Sequence, residues 1–173
     1  MPTPSGTSWH HPDLKAFARN LEVFINETFF PNANGSSYKE VFVQIVLLLS
    51  WEGGDSLIYS QLQELHGVFR EDYEFSSEEY FIPNKKSNRE LNTKLGDFLK
   101  KYDARSHLLI IYYGGQGALD EDRHALWLRD TLSGSPSLDW SSLQALFMDG
   151  TDADVLILLG CCAAAGSARS VGH

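Results

Sequence analysis

The chain has few cysteines, no long apolar run and a deficit of basic residues, and each shortage excludes a class of protein. Its cysteines are the adjacent Cys161 and Cys162, two in 173 residues. Neighbouring strand residues point to opposite faces, so a disulfide framework is excluded and a reducing compartment, the cytoplasm, is expected. The apolar run over residues 41–49 is shorter than the ~18 residues that a membrane-spanning helix needs.

Basic residues are outnumbered by acidic ones. Lysine and arginine number 14 against 23 aspartates and glutamates, which gives a formal net charge of −9. Nucleic acids and anionic membranes bind proteins that carry a surplus of basic side chains, so we expect neither as a partner. Residues 1–8 also lack the basic and apolar segments of a signal peptide, and residues 1–10 are predicted to form a flexible tail.

Apolar runs alternate with helical patterns along the rest of the chain. Residues 11–37 are predicted to hold an N-terminal helix and a loop, and residues 38–173 a single domain. Within that domain we expect strands at 41–49, 73–82, 108–113 and 155–159, and a short hairpin or a loop over 118–128. Helices are expected to start at capping boxes opened by Ser60, Ser87 and Ser141. This alternation predicts an α/β fold with a mainly parallel sheet and helices on both of its faces.

Two of the predicted strands end at a polar residue flanked by glycine or cysteine. The third strand runs into Gly115-Gln116-Gly117, and the fourth into Gly160-Cys161-Cys162. Ligands bind at the carboxyl ends of parallel strands, so Gln116 and Cys162 are expected at one edge. A cysteine beside a second polar group is typical of a cysteine-nucleophile site, whereas alternation along the strand favours Cys161 as a core residue.

These two blocks, Y-Y-G-G-Q-G and L-L-G-C-C-A-A-A-G, resemble those of the caspase-like and metacaspase-like cysteine peptidases of filamentous fungi. In that family the first block is Y-Y-x-G-H-G, whose His is the general base. The second is D-x-C, whose Cys is the nucleophile and whose Asp helps to hold a basic P1 side chain. The spacing is also similar, because a caspase His precedes its Cys by roughly 50 residues.

The resemblance implies a caspase-like three-layer sandwich and a cysteine endopeptidase that cuts peptides or proteins after basic or acidic residues. It also implies a cytoplasmic role in proteolysis and programmed cell death. Cys162 occupies the nucleophile position, and the backbone N–H of Gly117 the oxyanion-hole position. Gln116 stands where the family has His, and Gly160 where it has the pocket Asp. Glutamine cannot titrate, and the loss of an acid–base group costs about 10²–10⁴-fold in rate, so we expect impaired catalysis.

Further residues complete the predicted site. Asp55, in the glycine-containing loop after the first strand, is predicted to contribute to substrate binding, while the acidity of this loop argues against phosphate. His124 is a candidate substitute base, and the alternative is a solvated histidine beside the charged run D-E-D-R. No C-x-x-C or H-E-x-x-H pattern occurs, so neither a metal nor another cofactor is expected; dependence on calcium follows from the resemblance alone.

The resemblance covers roughly residues 40–166, the large-subunit part, whereas in the family the sheet continues for further strands after the cysteine. We expect the sheet to be truncated after the cysteine strand, either in a truncated product or in a chain whose partner supplies the missing strands. An unpaired sheet edge invites pairing with another chain. The expected function is therefore that of an impaired peptidase domain that binds or regulates a related caspase-like chain. The alternative is a weakly active endopeptidase that uses Cys162 with a substitute base.

Overall fold

The computed structural model describes residues 23, 43–122, 124–132, 134–148 and 150–161. The predicted tail and all of the predicted N-terminal helix and loop except Val23 lie outside these residues, as does Cys162. The elements follow one another in the order β1 Val43–Trp51, α1 Ser56–Glu71, β2 Ser76–Ile82, α2 Ser87–Tyr102, β3 His107–Gly114, β4 Gln116–Leu119, β5 Ala125–Leu128, β6 Ser137–Asp139, α3 Trp140–Met148 and β7 Asp154–Gly160.

Two sheets organise the described residues. The larger is four-stranded, in the order β2-β1-β3-β7, and each of its neighbouring pairs is parallel. The smaller has three antiparallel strands in the order β4-β5-β6. Of the two alternatives over residues 118–128, the structure has the hairpin, which starts at Gln116.

Alternate residues of β1 pack into two separate apolar layers. Ile45, Leu47 and Leu49 belong to the cluster that contains the apolar side chains of α2 and α3. Val46 and Leu48 belong to the cluster that contains those of α1. A parallel strand covered on both faces is apolar throughout, which is why this part of the sequence shows no alternation of apolar with polar residues. The α/β class with helices on both faces is confirmed, and the arrangement is compatible with a three-layer sandwich.

The start of α1 was predicted wrongly, and so was the start of α3. The helix α1 begins at Ser56, and the carboxylate of Asp55 accepts the Leu57 N–H at 2.9 Å. The helix α3 begins at Trp140, and the carboxylate of Asp139 accepts the Ser141 N–H at 2.9 Å. Aspartate is among the strongest N-cap residues because its side chain satisfies backbone donors of the first turn.

The helix α2 begins at Ser87, as predicted, but Ser87 does not cap it in the predicted way. The Ser87 hydroxyl donates to the Pro83 carbonyl at 2.7 Å, so Ser87 does not form the predicted capping box. The N-cap is Lys86, in the left-handed region with φ 56° and without a side-chain cap.

Two strand boundaries also differ from the prediction. The strand β1 continues to Trp51, past the predicted end at residue 49, because Trp51 remains in the ladder opposite Ile82. The strand β2 starts at Ser76 instead of residue 73, because the Phe75 N–H donates to the Phe69 carbonyl at 2.8 Å and holds these residues in the turn after α1.

Candidate functional site

The carboxyl ends of β3 and β7 lie side by side. Gly114 is in register with Gly160, and the Gly115 N–H donates to the Gly160 carbonyl at 3.4 Å. Gln116 therefore follows one strand end and Cys161 the other, at a single edge of the sheet. Cys161 is half-buried and packs against the apolar cluster on the α2 side, as expected for a core residue. Cys162, the next residue, lies outside the described part of the chain.

Side chains of neighbouring residues pack closely against the backbone at Gly114 and Gly115. A Cβ on Gly114 would lie 2.7 Å from Leu62 Cδ1, and one on Gly115 would lie 2.6 Å from Tyr113 Cζ. Real Cβ atoms essentially never approach other heavy atoms below 3.0 Å. A side chain at either of the two glycines that precede Gln116 would therefore require Leu62 or Tyr113 to shift.

The phenol of Tyr113 fixes the backbone around Gln116. Its Oη accepts the Trp51 Nε1–H at 3.1 Å. The same Oη lies 3.0 Å from the Gln116 carbonyl and 3.2 Å from the Leu128 carbonyl. The single phenol proton is therefore donated to one of these two carbonyls or shared between them. The ring stacks on Trp127 with centroids 3.9 Å apart. Burial raises the pKa of Tyr113, an effect that the Trp51 hydrogen bond only partly opposes, so the phenol stays protonated as a donor.

Gln116 and Gly117 begin the strand β4 beside this phenol. Gln116 is paired with Leu128, and Gly117 with Trp127, in the antiparallel ladder between β4 and β5. Both residues are half-buried. The structure therefore places the positions of the expected base and oxyanion donor at the base of a hairpin, next to the end of β7.

His124 is not brought to Gln116. It lies at the turn of the same hairpin, where the Asp120 carboxylate accepts its backbone N–H at 2.7 Å and contacts Nδ1 at 3.1 Å. Burial disfavours ionisation of Asp120, but the hydrogen bonds from His124 outweigh it, and the pKa of Asp120 is lowered. The imidazole is 57% exposed. His124 precedes Leu128, the ladder partner of Gln116, by four residues. Four residues of extended strand span up to about 13 Å, which separates His124 from Gln116.

Gly160 lies against Tyr112. A Cβ at this position would contact the Tyr112 hydroxyl and would lie 2.9 Å from its Cζ. Burial raises the pKa of Tyr112, and the nearby Cys161 raises it further. A side chain at residue 160 would therefore require the Tyr112 phenol to move, because the phenol occupies the space that the side chain would need.

Asp55 reaches the same edge as the N-cap of α1. Its carboxylate accepts the Leu57 N–H, so this carboxylate has a structural role at the predicted substrate-binding position. The side chain is exposed.

Arg129 belongs to this edge and was missed by the sequence analysis. It follows Leu128, and its Nη2 lies 3.9 Å from the position of a Cβ on Gly53. Its Nε is buried and has no hydrogen-bond partner among the described residues. No local motif marks Arg129, because the register of the hairpin is what brings it to the β1–α1 loop.

The described residues form neither a metal-binding group nor a membrane-spanning helix. They contain no group of three or more His, Cys, Asp or Glu residues that could hold a metal ion. Within the same residues, no helix is long and apolar enough to cross a membrane.

The described fold and edge define an α/β protein with a four-stranded parallel sheet whose carboxyl ends carry the candidate site. Comparison with protein-family models, curated proteins and solved structures finds no match to this chain.

Proposed function

We propose that this chain is the large-subunit part of a caspase/metacaspase-like cysteine peptidase domain that is catalytically impaired and binds or regulates a related chain. The observation that carries the proposal is the register of β3 with β7, in which Gly114 lies opposite Gly160. This register supports a site in which the residue after Gly115 and the cysteine after Cys161 act on the same bound peptide.

The order of the elements also supports the proposal. The segment after β3 turns at once into an antiparallel hairpin, and a hairpin is expected beside the site in domains of this family. The peptide-binding edge would then lie between that hairpin and the β1–α1 loop, which includes Gly53 and Asp55.

Impairment follows from the chemistry of Gln116. A cysteine thiol with a pKa near 8.5 is only a few per cent thiolate at neutral pH, so it needs a neighbouring base or cation. An amide supplies neither. His124 remains at the far turn of the hairpin, where its Nδ1 lies 3.1 Å from the Asp120 carboxylate. We therefore propose binding of a peptide, a protein or a related chain in the cytoplasm as the function, with proteolysis and cell death as its setting.

The test is to restore the base and measure cleavage of fluorogenic peptides with Arg, Lys or Asp at P1, with and without calcium. Gln116→His alone is the first variant, because an acid at Gly160 would collide with Tyr112. We expect the unmodified chain to be inactive and Gln116→His to gain about 10²-fold or more in rate. The same variant with Cys162→Ala is the control, and it should lose the gain.

Two outcomes would contradict the proposal. Cleavage by the unmodified chain at a rate similar to that of Gln116→His would show that catalysis is not impaired. Absence of cleavage by the folded Gln116→His variant, together with failure of Cys162 to react with peptide aldehydes, would remove the support for a peptidase-type site.

A further inference from the structure

The described helices cover the two faces of the four-stranded sheet unequally. On one face, the buried cluster contains apolar side chains of both α2 and α3. On the other face, α1 is the one described helix that contributes to the buried cluster. A helix with its side chains is about 10 Å wide, whereas adjacent strands lie about 4.8 Å apart, so one helix covers about two strands. The α1 face therefore has room for a second helix.

The helix α1 lies mainly over β2 and β1. Two side-chain contacts hold it on the β2 side of the face. Gln63 Nε2 donates to the Glu79 carboxylate at 2.7 Å, and His66 Nδ1 lies 2.9 Å from the Ser77 hydroxyl. The space for a second helix is therefore on the β7 side.

Apolar side chains on the β7 side of this face are incompletely covered. Tyr112, Leu156 and Leu158 pack against the same buried cluster as α1 but are only half-buried, and we call these three side chains the β7-side patch. Val46 and Leu48, which face the same way from β1, are completely buried. Because removal of apolar surface from water is favourable, the patch favours a further apolar cover.

The helix predicted near the N-terminus carries an apolar stripe. Leu14, Phe17 and Leu21 recur at intervals of three and four residues, which places them on one side of a helix. Val23, the described residue in this part of the chain, is helical and 52% exposed. Two helical residues rotate the side-chain direction by about 200°, so Val23 lies opposite Leu21. Its exposure agrees with a helix whose stripe packs against the protein.

The connection to β1 allows the stripe to reach the patch. Residues 24–42 join Val23 to Val43, the first residue of β1. The strand β7 lies two positions from β1 in the sheet, about 10 Å away, whereas a linker of this length spans up to about 60 Å. Covalent connection also gives the stripe a high effective concentration at the sheet, which favours it over a second copy of the chain.

We infer that the stripe of Leu14, Phe17 and Leu21 packs on the β7-side patch, so that the N-terminal helix is the second helix on the α1 face. The inference goes beyond the proposed function and does not depend on it, because no residue of the peptidase-type site takes part. A second copy of the chain, or another protein, is the alternative occupant of the patch.

Hydrogen exchange followed by mass spectrometry tests the contact in the intact chain. Leu21→Asp puts a charge into the stripe, whereas the matched control Val23→Asp puts the same charge on the opposite side of the helix. Exchange reports local opening, so we expect Leu21→Asp to speed exchange in β7 by about tenfold or more and to affect β2 less. Val23→Asp should leave both strands unchanged. Circular dichroism checks that each variant is folded.

Photo-crosslinking tests the position of the stripe without adding a charge. p-Benzoylphenylalanine replaces Phe17, a similar aromatic residue, or Val23 in the control. After irradiation, residue 17 should form crosslinks to peptides from β3 or β7 within one chain, and residue 23 should not. The crosslinked protein should migrate as a monomer in denaturing gels.

Other outcomes would overturn the inference. Crosslinks from residue 17 to α2 or α3 would place the stripe on the wrong face, and crosslinks found only in dimers would assign the patch to a second copy. Absence of crosslinks from residue 17 in the folded chain would show that the patch has another cover or none. In the exchange experiment, equal effects of Leu21→Asp and Val23→Asp, or equal acceleration of β2 and β7, would also contradict it.

Discussion

The outer strands β2 and β7 belong to the same parallel sheet, but their side chains differ in kind. In β2, Glu78 hydrogen-bonds to Lys94 at 2.8 Å and to Tyr102 at 2.6 Å on the α2 side. Its neighbour Glu79 accepts two hydrogen bonds from Gln63 of α1, at 2.7 and 2.8 Å. In β7, the residues between Asp154 and Gly160 are all apolar and half-buried.

This difference indicates which edge is suited to an additional strand. Charged side chains on an edge strand oppose pairing with another chain, and in β2 they are held by helices on both faces. The apolar sequence V-L-I-L-L of β7 has no such protection, and among the described residues β7 pairs with β3 alone. The β7 edge is therefore where the proposed partner chain would join the sheet.

The largest effect is expected from a charge in the middle of β7. Ile157 packs against the apolar cluster on the α2 side, so Ile157→Lys should lower the free energy of unfolding by about 2–4 kcal/mol. Glu79→Lys, in the middle of β2, is the control and should cost about 1 kcal/mol or less. Urea denaturation followed by tryptophan fluorescence measures both, and equal costs would contradict the contrast between the strands.

The second-largest effect on stability is expected at the end of β7. Gly160→Ala places a methyl group against Tyr112 and should destabilise the chain by about 1–3 kcal/mol through overpacking. In a Tyr112→Leu background the same change should cost less than about 0.5 kcal/mol, because the phenol is gone. A cycle of the four chains in urea tests this. If the cost persists without the phenol, the packing explanation for Gly160 is wrong.

A smaller effect should be seen at the charged edge. Burial disfavours ionisation of Glu78, but Lys94, Tyr102 and Lys101 outweigh it and lower the pKa of Glu78 from 4.5 to about 2. Because the folded pKa is depressed, the stability that Glu78 contributes is complete above about pH 4.5 and is lost as the pH falls towards 2.

Glu78→Gln should therefore cost about 1 kcal/mol at pH 7 and almost nothing near pH 2, with Glu79→Gln as the control. Urea midpoints at several pH values report the difference between each variant and the unmodified chain. A difference for Glu78→Gln that does not change with pH would show that its ion pairs do not stabilise the fold.

The smallest effect is expected at the hairpin turn. His124→Ala removes an exposed imidazole and its pair with Asp120, so stability should change by less than about 0.5 kcal/mol. Any slow peptide cleavage by the unmodified chain should be unaffected. A large loss of that cleavage in His124→Ala would identify His124 as a substitute base, contrary to the geometry.

Much of the fold could be predicted because the strong signals are local. The apolar runs identified the four strands of the parallel sheet, and the segments between them identified the three described helices. Helix starts were less predictable. Ser60 fits a capping box although it lies inside α1, since the pattern S-x-x-Q also suits the interior of a helix. The actual caps of α1 and α3 use Asp55 and Asp139, which need no partner three residues later.

The candidate site, like the fold, could be predicted only in part. The parallel strands predicted that Gln116 and Cys162 share an edge. The register of Gly114 with Gly160 brings Gln116 and Cys161 to one edge, while Cys162 lies outside the described residues. The role of Tyr113 and the place of Arg129 could not be predicted. Both depend on which residues the hairpin and the β1–α1 loop bring together, and their partners lie far away in the sequence.

The sequence by itself determined the alternation of strands and helices, the parallel sheet and the absence of a titratable group at residue 116, because these follow from the chemistry of neighbouring residues. The tertiary structure decided that Gly160 accommodates Tyr112, that His124 stays with Asp120 and that Arg129 faces Gly53. It also decided that β2, with charged side chains, and β7, with apolar ones, form the two outer strands of the described sheet. These properties arise from contacts between distant segments, which exist only once the register of the strands has fixed the positions of their side chains.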